Sequence, residues 1–585
     1  MGRLAPTRGR EDRRRAAAVP GLAAIRGYRR EWLREDLVAG LVLTALLVPQ
    51  GMAYAELAGL PAITGLYTSI LCLLGYAMFG PSRILVLGPD SSLGPMIAAT
   101  IAPLVMADGD PARAIALASM LALMVGAVMI LAGLAKLGFV ADLLSKPTQI
   151  GYMNGLALTI LVGQLPKLFG FSVDADGLID EAAGFVEGVA DGETVSAALA
   201  IGLVGLLIIF GLQRRLPRVP AVLIAVVFAI AAVEVFDLVG RGVSVVGALP
   251  GGFPPLTIPD ISWSDLPLLL GGALGIALVA LTDTISTASA FAARQGHHVH
   301  GDQEMIGIGV SNVAAGLFQG FPVSTSGSRT AVAEQAGAKS QVTGIVGALA
   351  ILSLLLVAPG LLRNLPQPTL AAVVIAASVS LADIPATIRL WKQRRTEFLL
   401  TVAAFLGVAV LGVLPGIVVA VALSILNVFR RAWWPYQTRL GRVDGLPGFH
   451  DVRQYPRGEQ LPGLVMYRFD APLIFANSRT FREEIVQLVN ETPGLRWIVV
   501  AAEPITDVDT TAADMLEDLD VWLNAREVSL VFAEIKDPVR AKIERYELTR
   551  TIDPRHFFPT IEAAVDAYRA EFGQEWRAPQ GGDLA

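Results

Sequence analysis

A run of hydroxyl side chains and glycine that ends in an arginine, Pro322-Val323-Ser324-Thr325-Ser326-Gly327-Ser328-Arg329, lies between two long apolar segments. Hydroxyls, backbone amides and a guanidinium are groups with which proteins bind anions. Inside a bilayer, irregular backbone and an arginine are tolerated only where they face protein, water or a ligand. The run therefore predicts an anion site within a membrane protein.

Apolar segments of membrane-spanning length surround the run. Hydrophobic residues make up 54% and charged residues 17% of the 585-residue chain, and the mean hydropathy is +0.57. From Leu37 to about Val428, apolar blocks alternate with short polar breaks, and a block of about 20 residues can span a bilayer. This pattern predicts an α-helical polytopic membrane protein with about 14 transmembrane segments. They lie near residues 37–58, 62–80, 88–106, 113–137, 143–170, 195–213, 219–238, 266–292, 303–320, 324–337, 340–361, 366–383, 394–412 and 413–430.

The basic residues are spread unevenly along the chain. Arginines crowd the first 36 residues, and further clusters occupy the breaks at 214–218 and 389–395, whereas the loop 171–194 carries seven acids and no lysine or arginine. By the positive-inside rule, the basic segments are cytoplasmic and the acidic loop is external. We therefore expect both termini in the cytoplasm, with the basic N-terminal segment positioned to contact anionic membrane lipid.

After Trp433-Trp434-Pro435 the composition becomes that of a soluble domain. Short strands are predicted at 464–469, 497–502 and 529–533, and amphipathic helices at 478–490, 510–525, 537–546 and 559–572. Alternating strands and helices indicate a small cytoplasmic α/β domain. The predicted divisions are a basic segment 1–36, a membrane domain 37–432, a linker 433–447, a cytoplasmic domain 448–572 and a disordered tail 573–585.

Several kinds of chemistry lack support in the sequence. A formal net charge of −6 argues against a nucleic-acid partner. The sequence contains no glycine-rich phosphate-binding loop of the type that ends in lysine and serine or threonine, so nothing indicates an ATP-driven motor. Cys72 is the single cysteine, which excludes a disulfide. His297, His298 and His300 have no acidic or cysteine partner nearby, so a solvated loop is favoured over a metal site. We expect no cofactor and no enzymatic activity, because no nucleophile–base pair is visible.

Two proline-interrupted segments stand at matching places in the two halves of the chain. Pro89 lies 39 residues after Gln50, and Pro322 lies 39 residues after Asp283. Such matching breaks are a sequence sign of an inverted-repeat transporter with its site at the midplane. A proline in the first turn of each half-helix would lose no hydrogen bond. The free amides behind it would point at an anion in the gap between the half-helices.

Taken together, these motifs resemble the SulP family of anion transporters, relatives of pendrin and prestin, and the C-terminal domain resembles a STAS domain. The resemblance implies fourteen spans as a seven-plus-seven inverted repeat, a core and a gate domain in elevator-like motion, and a homodimer. Its substrates include sulfate, bicarbonate, chloride and dicarboxylates. The residues that carry it are Val48 to Ala55, Leu57 to Pro61, Gly88-Pro89 and the stretch from Phe321 to Lys339.

The resemblance also proposes a substrate site. Gln50 matches a glutamine whose amide can donate to an anion, and Tyr54, one helical turn on, matches an aromatic that lines the site. For Ser326 and Ser328, a role in helix packing or capping is an equal alternative to anion binding. The anion-contacting stretch of the family matches Ser326, Gly327, Ser328 and Arg329, and Asp90, Ser91 and Ser92 face it from the third span.

Two acids in this region have open roles. Asp90 departs from the animal members, in which an aromatic follows Gly-Pro; it could accept a proton, pair with Arg329 or cap the third span. Asp283, in an apolar run, suits a group that takes up and releases a proton. With Thr287, one turn away, Asp283 could instead supply oxygens to Na⁺, or it could form a salt bridge with Arg329.

In the soluble domain, Thr510 and Thr511 follow Asp509 at a strand-to-helix turn. This turn resembles the STAS loop whose hydroxyl is phosphorylated in some bacterial relatives. Helix capping by Asp509 or Thr510 is the other interpretation. Regulation through a protein partner, or dimer contacts, are favoured over catalysis for this domain, because no nucleophile–base pair is visible in it.

These expectations combine into one function. The chain is predicted to be a secondary active transporter of small anions (sulfate, bicarbonate or a dicarboxylate) in the bacterial plasma membrane, coupled to H⁺ or Na⁺ through Asp283. An uncoupled anion channel or exchanger on the same scaffold is one alternative. A membrane-anchored STAS signalling protein is another.

Overall fold

The computed structural model describes residues 20–21 and 28–576, apart from 106–109, 140–143, 174, 176, 217–218 and 296–298. The predicted tail beyond residue 576, most of the basic N-terminal segment, His297 and His298 lie outside the described residues. The chain divides into two compact units, Met1–Ile425 and Leu426–Ala585.

The first unit is almost entirely helical. Each of the fourteen predicted segments contains one helix, and the described part of the chain adds two helices in predicted polar breaks, α6 and α14. The helices are α1 (Leu33–Leu57), α2 (Ala62–Phe79), α3 (Gly94–Ile101), α4 (Pro111–Leu134), α5 (Lys146–Phe169), α6 (Leu178–Ala190), α7 (Ser196–Arg215), α8 (Ala221–Phe236), α9 (Leu266–Gln295), α10 (Gly301–Leu317), α11 (Gly327–Gln335), α12 (Val342–Val357), α13 (Gln367–Leu381), α14 (Ile384–Gln393), α15 (Arg395–Leu411) and α16 (Val413–Trp433).

Seven helical segments in the described chain are long and apolar enough to cross a membrane, and three shorter helices are also apolar. The predicted fold class is confirmed in these terms: a helical membrane domain followed by a smaller domain with a sheet. The sequence pattern missed α6 and α14 because both are amphipathic, so their polar residues read as breaks between spans.

The two short helices in matching positions, α3 and α11, follow extended segments. Strand β1 (Leu87–Gly88) pairs antiparallel with β2 (Ser324–Thr325). The prediction that Pro89 and Pro322 lie in the first turn of the half-helices is wrong. Both prolines lie outside the helices, because the chain stays extended there to form the strand pair. The matching in the two halves remains, since α3 begins 44 residues after Gln50 and α11 begins 44 residues after Asp283.

Glycines set the closest helix crossing near this pair. A Cβ atom on Gly65 of α2 would lie 1.9 Å from the carbonyl oxygen of Gly51 in α1. Small residues allow such backbone contact between membrane helices, where packing rather than the hydrophobic effect holds helices together. The crossing fixes α1, which carries Gln50 and Tyr54, against the rest of the unit.

The second unit is an α/β domain with one six-stranded sheet. The strand order is β4-β3-β5-β6-β7-β8; β3 runs antiparallel to its neighbours β4 and β5, and β5 to β8 are parallel. Apolar cores cover both faces of the sheet. The elements are β3 (Gln437–Arg442), β4 (Phe449–Asp451), β5 (Leu464–Phe469), α17 (Ser478–Glu491), β6 (Trp497–Ala501), α18 (Thr510–Asn524), β7 (Ser529–Ala533), α19 (Asp537–Arg545), β8 (Phe557–Phe558) and α20 (Ile561–Phe572).

The three predicted strands and four predicted helices of this domain are present, with ends shifted by two residues or fewer. Sequence patterning missed β3, β4 and β8. Strand β3 is mostly polar, so it lacks an apolar alternation. Strand β4 has three residues and β8 has two, which is too short for an alternating pattern to be detected.

A buried acid lies in the core-facing side of α18. Asp520 is 2% exposed, and its carboxylate accepts a hydrogen bond from the Asn524 amide at 2.9 Å. Burial raises the pKa of Asp520 to about 6. The folded domain therefore holds a proton there that the unfolded chain, with an ordinary aspartate, releases at lower pH.

Replacing Gly65 with alanine is expected to separate α1 from α2, because the added methyl group collides with backbone that cannot move aside. We expect a large loss of monodisperse protein in detergent, measured by size-exclusion chromatography. Gly271→Ala in α9 is the matched control, since a Cβ atom there meets open space. Equal recovery of the two variants would contradict the packing argument.

Asp520→Asn is expected to stabilise the soluble domain at neutral pH, where the charged carboxylate is buried at a cost. Because the pKa is raised on folding, the wild-type domain loses stability as pH rises from about 4 to 6. The gain from the substitution should be about 1–2 kcal/mol at pH 7.5 and should vanish near pH 4. Urea unfolding of residues 433–576 measures it, with the exposed Asp518→Asn on the same helix as control. A gain independent of pH would refute this account.

Candidate anion-binding site

A cavity of about 630 Å³ lies where the strand pair meets helices α1, α9, α11 and α13. Its wall is formed on one side by residues of the two matching halves, and on the other by α8 and α13. It contains every substrate and coupling residue predicted in the membrane domain except Ser92. Those residues are Gln50, Tyr54, Asp90, Ser91, Asp283, Thr287, Ser326, Gly327, Ser328 and Arg329.

One face of α1 lines the cavity along its length. Val38, Val42, Leu46, Gln50 and Tyr54 recur every four residues, the spacing of a single helix face. At 1.5 Å per residue they extend over about 24 Å. The cavity therefore extends toward the N-terminal end of α1, and Tyr54 is the last residue of this helix that lines it.

The strand pair brings the N-terminal ends of α3 and α11 together. The Ser326 amide donates to the Val86 carbonyl at 3.1 Å, which continues the pairing by one residue. The Ser326 hydroxyl then caps α11 by accepting from the Arg329 amide at 3.4 Å, and it lies 3.1 Å from the Ser328 hydroxyl. Ser326 thus has the capping contact foreseen for it and also faces the cavity.

Arg329 is buried, with 1% of its side chain exposed. Its Nη2 lies 3.4 Å from the Asp90 carboxylate, but its Nε and Nη1 donate to none of the described residues. The guanidinium is close to backbone, since a Cβ atom on Gly88 would lie 2.8 Å from Nη1. Unpaired buried donors are costly, so these two nitrogens call for an acceptor that the described residues do not supply.

Asp90 has the contact for one of its three anticipated roles, the pairing with Arg329, and its side chain does not cap α3. One carboxylate oxygen faces Arg329 at 3.4 Å. The other accepts from the amide of Ser92 at 3.0 Å and is 2.8 Å from the Ser92 hydroxyl, a local turn immediately before α3. The ion pair is long and leaves the charge of Arg329 only partly compensated.

Asp283 lies on the opposite side of the Ser92 hydroxyl. Its two oxygens are 3.3 Å from the Ser92 hydroxyl and 3.4 Å from the Gln149 amide nitrogen. Among the ion pairs in the described chain there is none between Asp283 and Arg329, so the salt-bridge interpretation has no contact to support it. Thr287, one turn on, also lines the cavity.

Several contributing residues were missed from the sequence. Gln149 on α5 reaches Asp283, and Ser286 lines the cavity. Asn312 holds the extended segment in place, because its side-chain oxygen accepts from the Val323 amide at 2.9 Å. The position of Asn312 inside an apolar span was a signal in the sequence that could have identified it. Gln149 and Ser286 resemble ordinary polar residues of a helix, and nothing in the sequence distinguishes them.

In the second unit, Thr510 and Thr511 are exposed at the start of α18. Asp509 caps this helix by accepting from the Ala512 amide at 2.8 Å, and its other oxygen accepts from the Phe475 amide at 2.7 Å. Asp507 pairs with Lys542 at 2.5 Å, and this hydrogen bond lowers the pKa of Asp507. Capping by Asp509 is thus present, and both threonine hydroxyls stay accessible.

A multi-pass helical domain with paired half-helices around a polar cavity, joined to a small α/β domain, defines a class of membrane transport protein. Residues 33–404 match the model of the sulfate permease family, and residues 455–564 match the STAS domain. The chain belongs to the sulfate permease family of anion transporters, as its sequence resemblance predicted.

Similar proteins cover nearly the whole chain. A probable sulfate transporter of Mycobacterium tuberculosis is 41% identical over 95% of this chain and 98% of its own length. High affinity sulfate transporter 2 of Stylosanthes hamata is 31% identical over 93% and 85%. The structure of murine Slc26a9, an anion transporter described in the inward-facing state, has a TM-score of 0.86 at 25% identity and covers 94% of each chain.

Proposed function

We propose that this protein is a secondary active transporter of sulfate in the bacterial plasma membrane, driven by protons through Asp283. The observation that carries the proposal is the buried guanidinium of Arg329, which presents two unpaired donors beside a cavity lined by hydroxyls and an amide. A tetrahedral oxyanion offers acceptors in several directions to such a set of donors. The names of the similar transporters favour sulfate over bicarbonate or a dicarboxylate.

Ser92 favours protons over sodium as the coupling ion. Its hydroxyl has one hydrogen, yet it lies between the carboxylates of Asp90 and Asp283 at 2.8 and 3.3 Å. If that hydrogen goes to the nearer Asp90, a hydrogen bond to Asp283 needs a proton on Asp283. The arrangement suits an acid that binds a proton when the anion site is occupied.

The same acid would move with the anion. A proton on Asp283 removes one negative charge from the neighbourhood of the substrate, which makes anion binding more favourable. Anion and proton then cross together, and loss of the proton on the other side promotes release. Sodium held by Asp283 and Thr287 is the second candidate, and it would neutralise the carboxylate in the same way.

Under the positive-inside orientation, the cavity opens to the cytoplasm, because it runs toward the N-terminal end of α1. The similarity to murine Slc26a9 in its inward-facing state supports this orientation. Elevator-like movement of a core past a gate in a homodimer, with regulation through a partner or phosphate at Thr510 and Thr511, completes the proposal.

Arg329→Ala is expected to weaken sulfate binding by about 1.5–3 kcal/mol, or roughly 10- to 100-fold in Kd, because charge-assisted hydrogen bonds are lost. Titration calorimetry of the purified protein measures it. The substitution also frees the Asp90 carboxylate to repel the anion, so the double variant Asp90→Asn/Arg329→Ala separates the two effects and should recover part of the loss. An unchanged Kd in Arg329→Ala would reject the site.

Asp283→Asn is expected to abolish sulfate accumulation driven by a pH gradient in proteoliposomes while leaving sulfate exchange across equal concentrations. The amide keeps the polar contacts but cannot carry a proton. Accumulation driven by a sodium gradient in the wild type would favour Na⁺ instead. Flux that follows voltage and ignores both gradients would identify a channel, and sulfate binding without any flux would identify a sensor.

A further inference from the structure

A second cavity, of about 350 Å³, lies at the C-terminal end of α1. Tyr54 lines the first cavity and Glu56, two residues further on, lines the second. Tyr54 and Glu56 are two residues apart, so their side chains leave α1 on opposite sides, and the two cavities lie against different faces of this helix. Under the proposed orientation the second cavity faces the outside of the cell.

The wall of this cavity holds one cation and one anion from different parts of the membrane domain. Of the described lining residues, Glu56 at the end of α1 and Lys167 in the last turn of α5 are the charged ones. Gln367, the first residue of α13, adds an amide to the wall. No hydrogen bond or ion pair within 4 Å joins Glu56 to Lys167 in the described chain, and both residues line the cavity.

A further acid lies beside Lys167, outside the cavity lining. The carboxylate of Glu181 on α6 packs against Gly163, one helical turn before Lys167 on the same face of α5. Lys167 therefore acts electrostatically on two carboxylates, Glu56 across the cavity and Glu181 at its flank. With both acids charged, the cluster carries a net charge of −1 and repels a free anion.

We propose that this cavity is an outer receiving site for the transported anion, in which Lys167 binds the anion and Glu56 is a tethered carboxylate that competes with it. The inference rests on the proposed function and extends it to the outer face. A proton taken by the Glu56 carboxylate from external water removes the competitor and leaves Lys167 free. External acidity would then raise anion affinity at the outer site before Asp283 is reached.

Two substitutions of opposite sign test the competition. Glu56→Gln should lower the KM for external sulfate at pH 7.5 by about 2- to 5-fold, and Lys167→Gln should raise it by a similar factor, the range for one partly exposed charge. Uptake into proteoliposomes measures both. Asp180→Asn, an exposed acid on α6, is the control for general surface charge and should leave KM unchanged. Unchanged KM in both cavity variants, or a shift in the same direction, would overturn the proposal.

A measurement that needs no transport reports on the cavity itself. A cysteine in place of Gln367 is labelled with an anionic sulfonate reagent and with a cationic reagent, and the ratio of the two rates cancels the ionisation of the thiol. Glu56→Gln should raise this ratio at pH 7.5 and remove its rise toward pH 5.5. Ile258→Cys, in an exposed position, should show neither effect.

The two assays separate the possible failures. If the wild type transports no anion but the labelling ratio responds to Glu56, the proposed function fails and the charged cavity stands. If sulfate is transported and neither KM nor the labelling ratio responds to Glu56 or Lys167, the receiving site is refuted and the transporter stands.

Discussion

Two residues of β1 paired with two residues of β2 are the constraint on which the site depends. Backbone amides and carbonyls in a membrane interior must be paired, so a chain that leaves helical geometry there needs partners from another extended segment or from side chains. Leu87 and Gly88 therefore pair with Thr325 and Ser324 from the other half of the chain. The pairing positions both half-helix starts, and side chains such as Asn312 and Ser326 support it through hydrogen bonds to the backbone.

Charge at the site follows from this backbone arrangement. The pairing places Gly88 directly against the guanidinium of Arg329, where a side chain would not fit, and it turns Asp90 toward the same group at a distance that is long for an ion pair. A tighter pair would satisfy Arg329 internally. The contact is incomplete, because Nε and Nη1 of Arg329 donate to none of the described residues, and Ser92 links Asp90 to Asp283.

Most of the helices and most of the candidate residues were predictable because both are local signals. Apolar length identified most of the membrane-domain helices, and matching proline breaks identified the two short helices α3 and α11. The exact start of α11 was not predictable, since it depends on pairing with a strand more than two hundred residues away. The contacts of Gln149 with Asp283 and of Asn312 with Val323 are not predicted by the residue types alone. The sequence also does not show that Asp283 and Arg329 form no ion pair.

The strand pair also bears on how the protein is made. Ser324 lies 236 residues after Gly88 in the chain. At the usual rate of ribosomal synthesis, the interval between these two residues is roughly 10–50 s. During that interval the backbone groups of β1 lack the partner that they have in the finished fold. Helices of the first half can enter the bilayer one after another, but the extended segment between α2 and α3 must stay hydrated or temporarily bonded elsewhere. Completion of the N-terminal half is thus postponed until most of the membrane domain has left the ribosome.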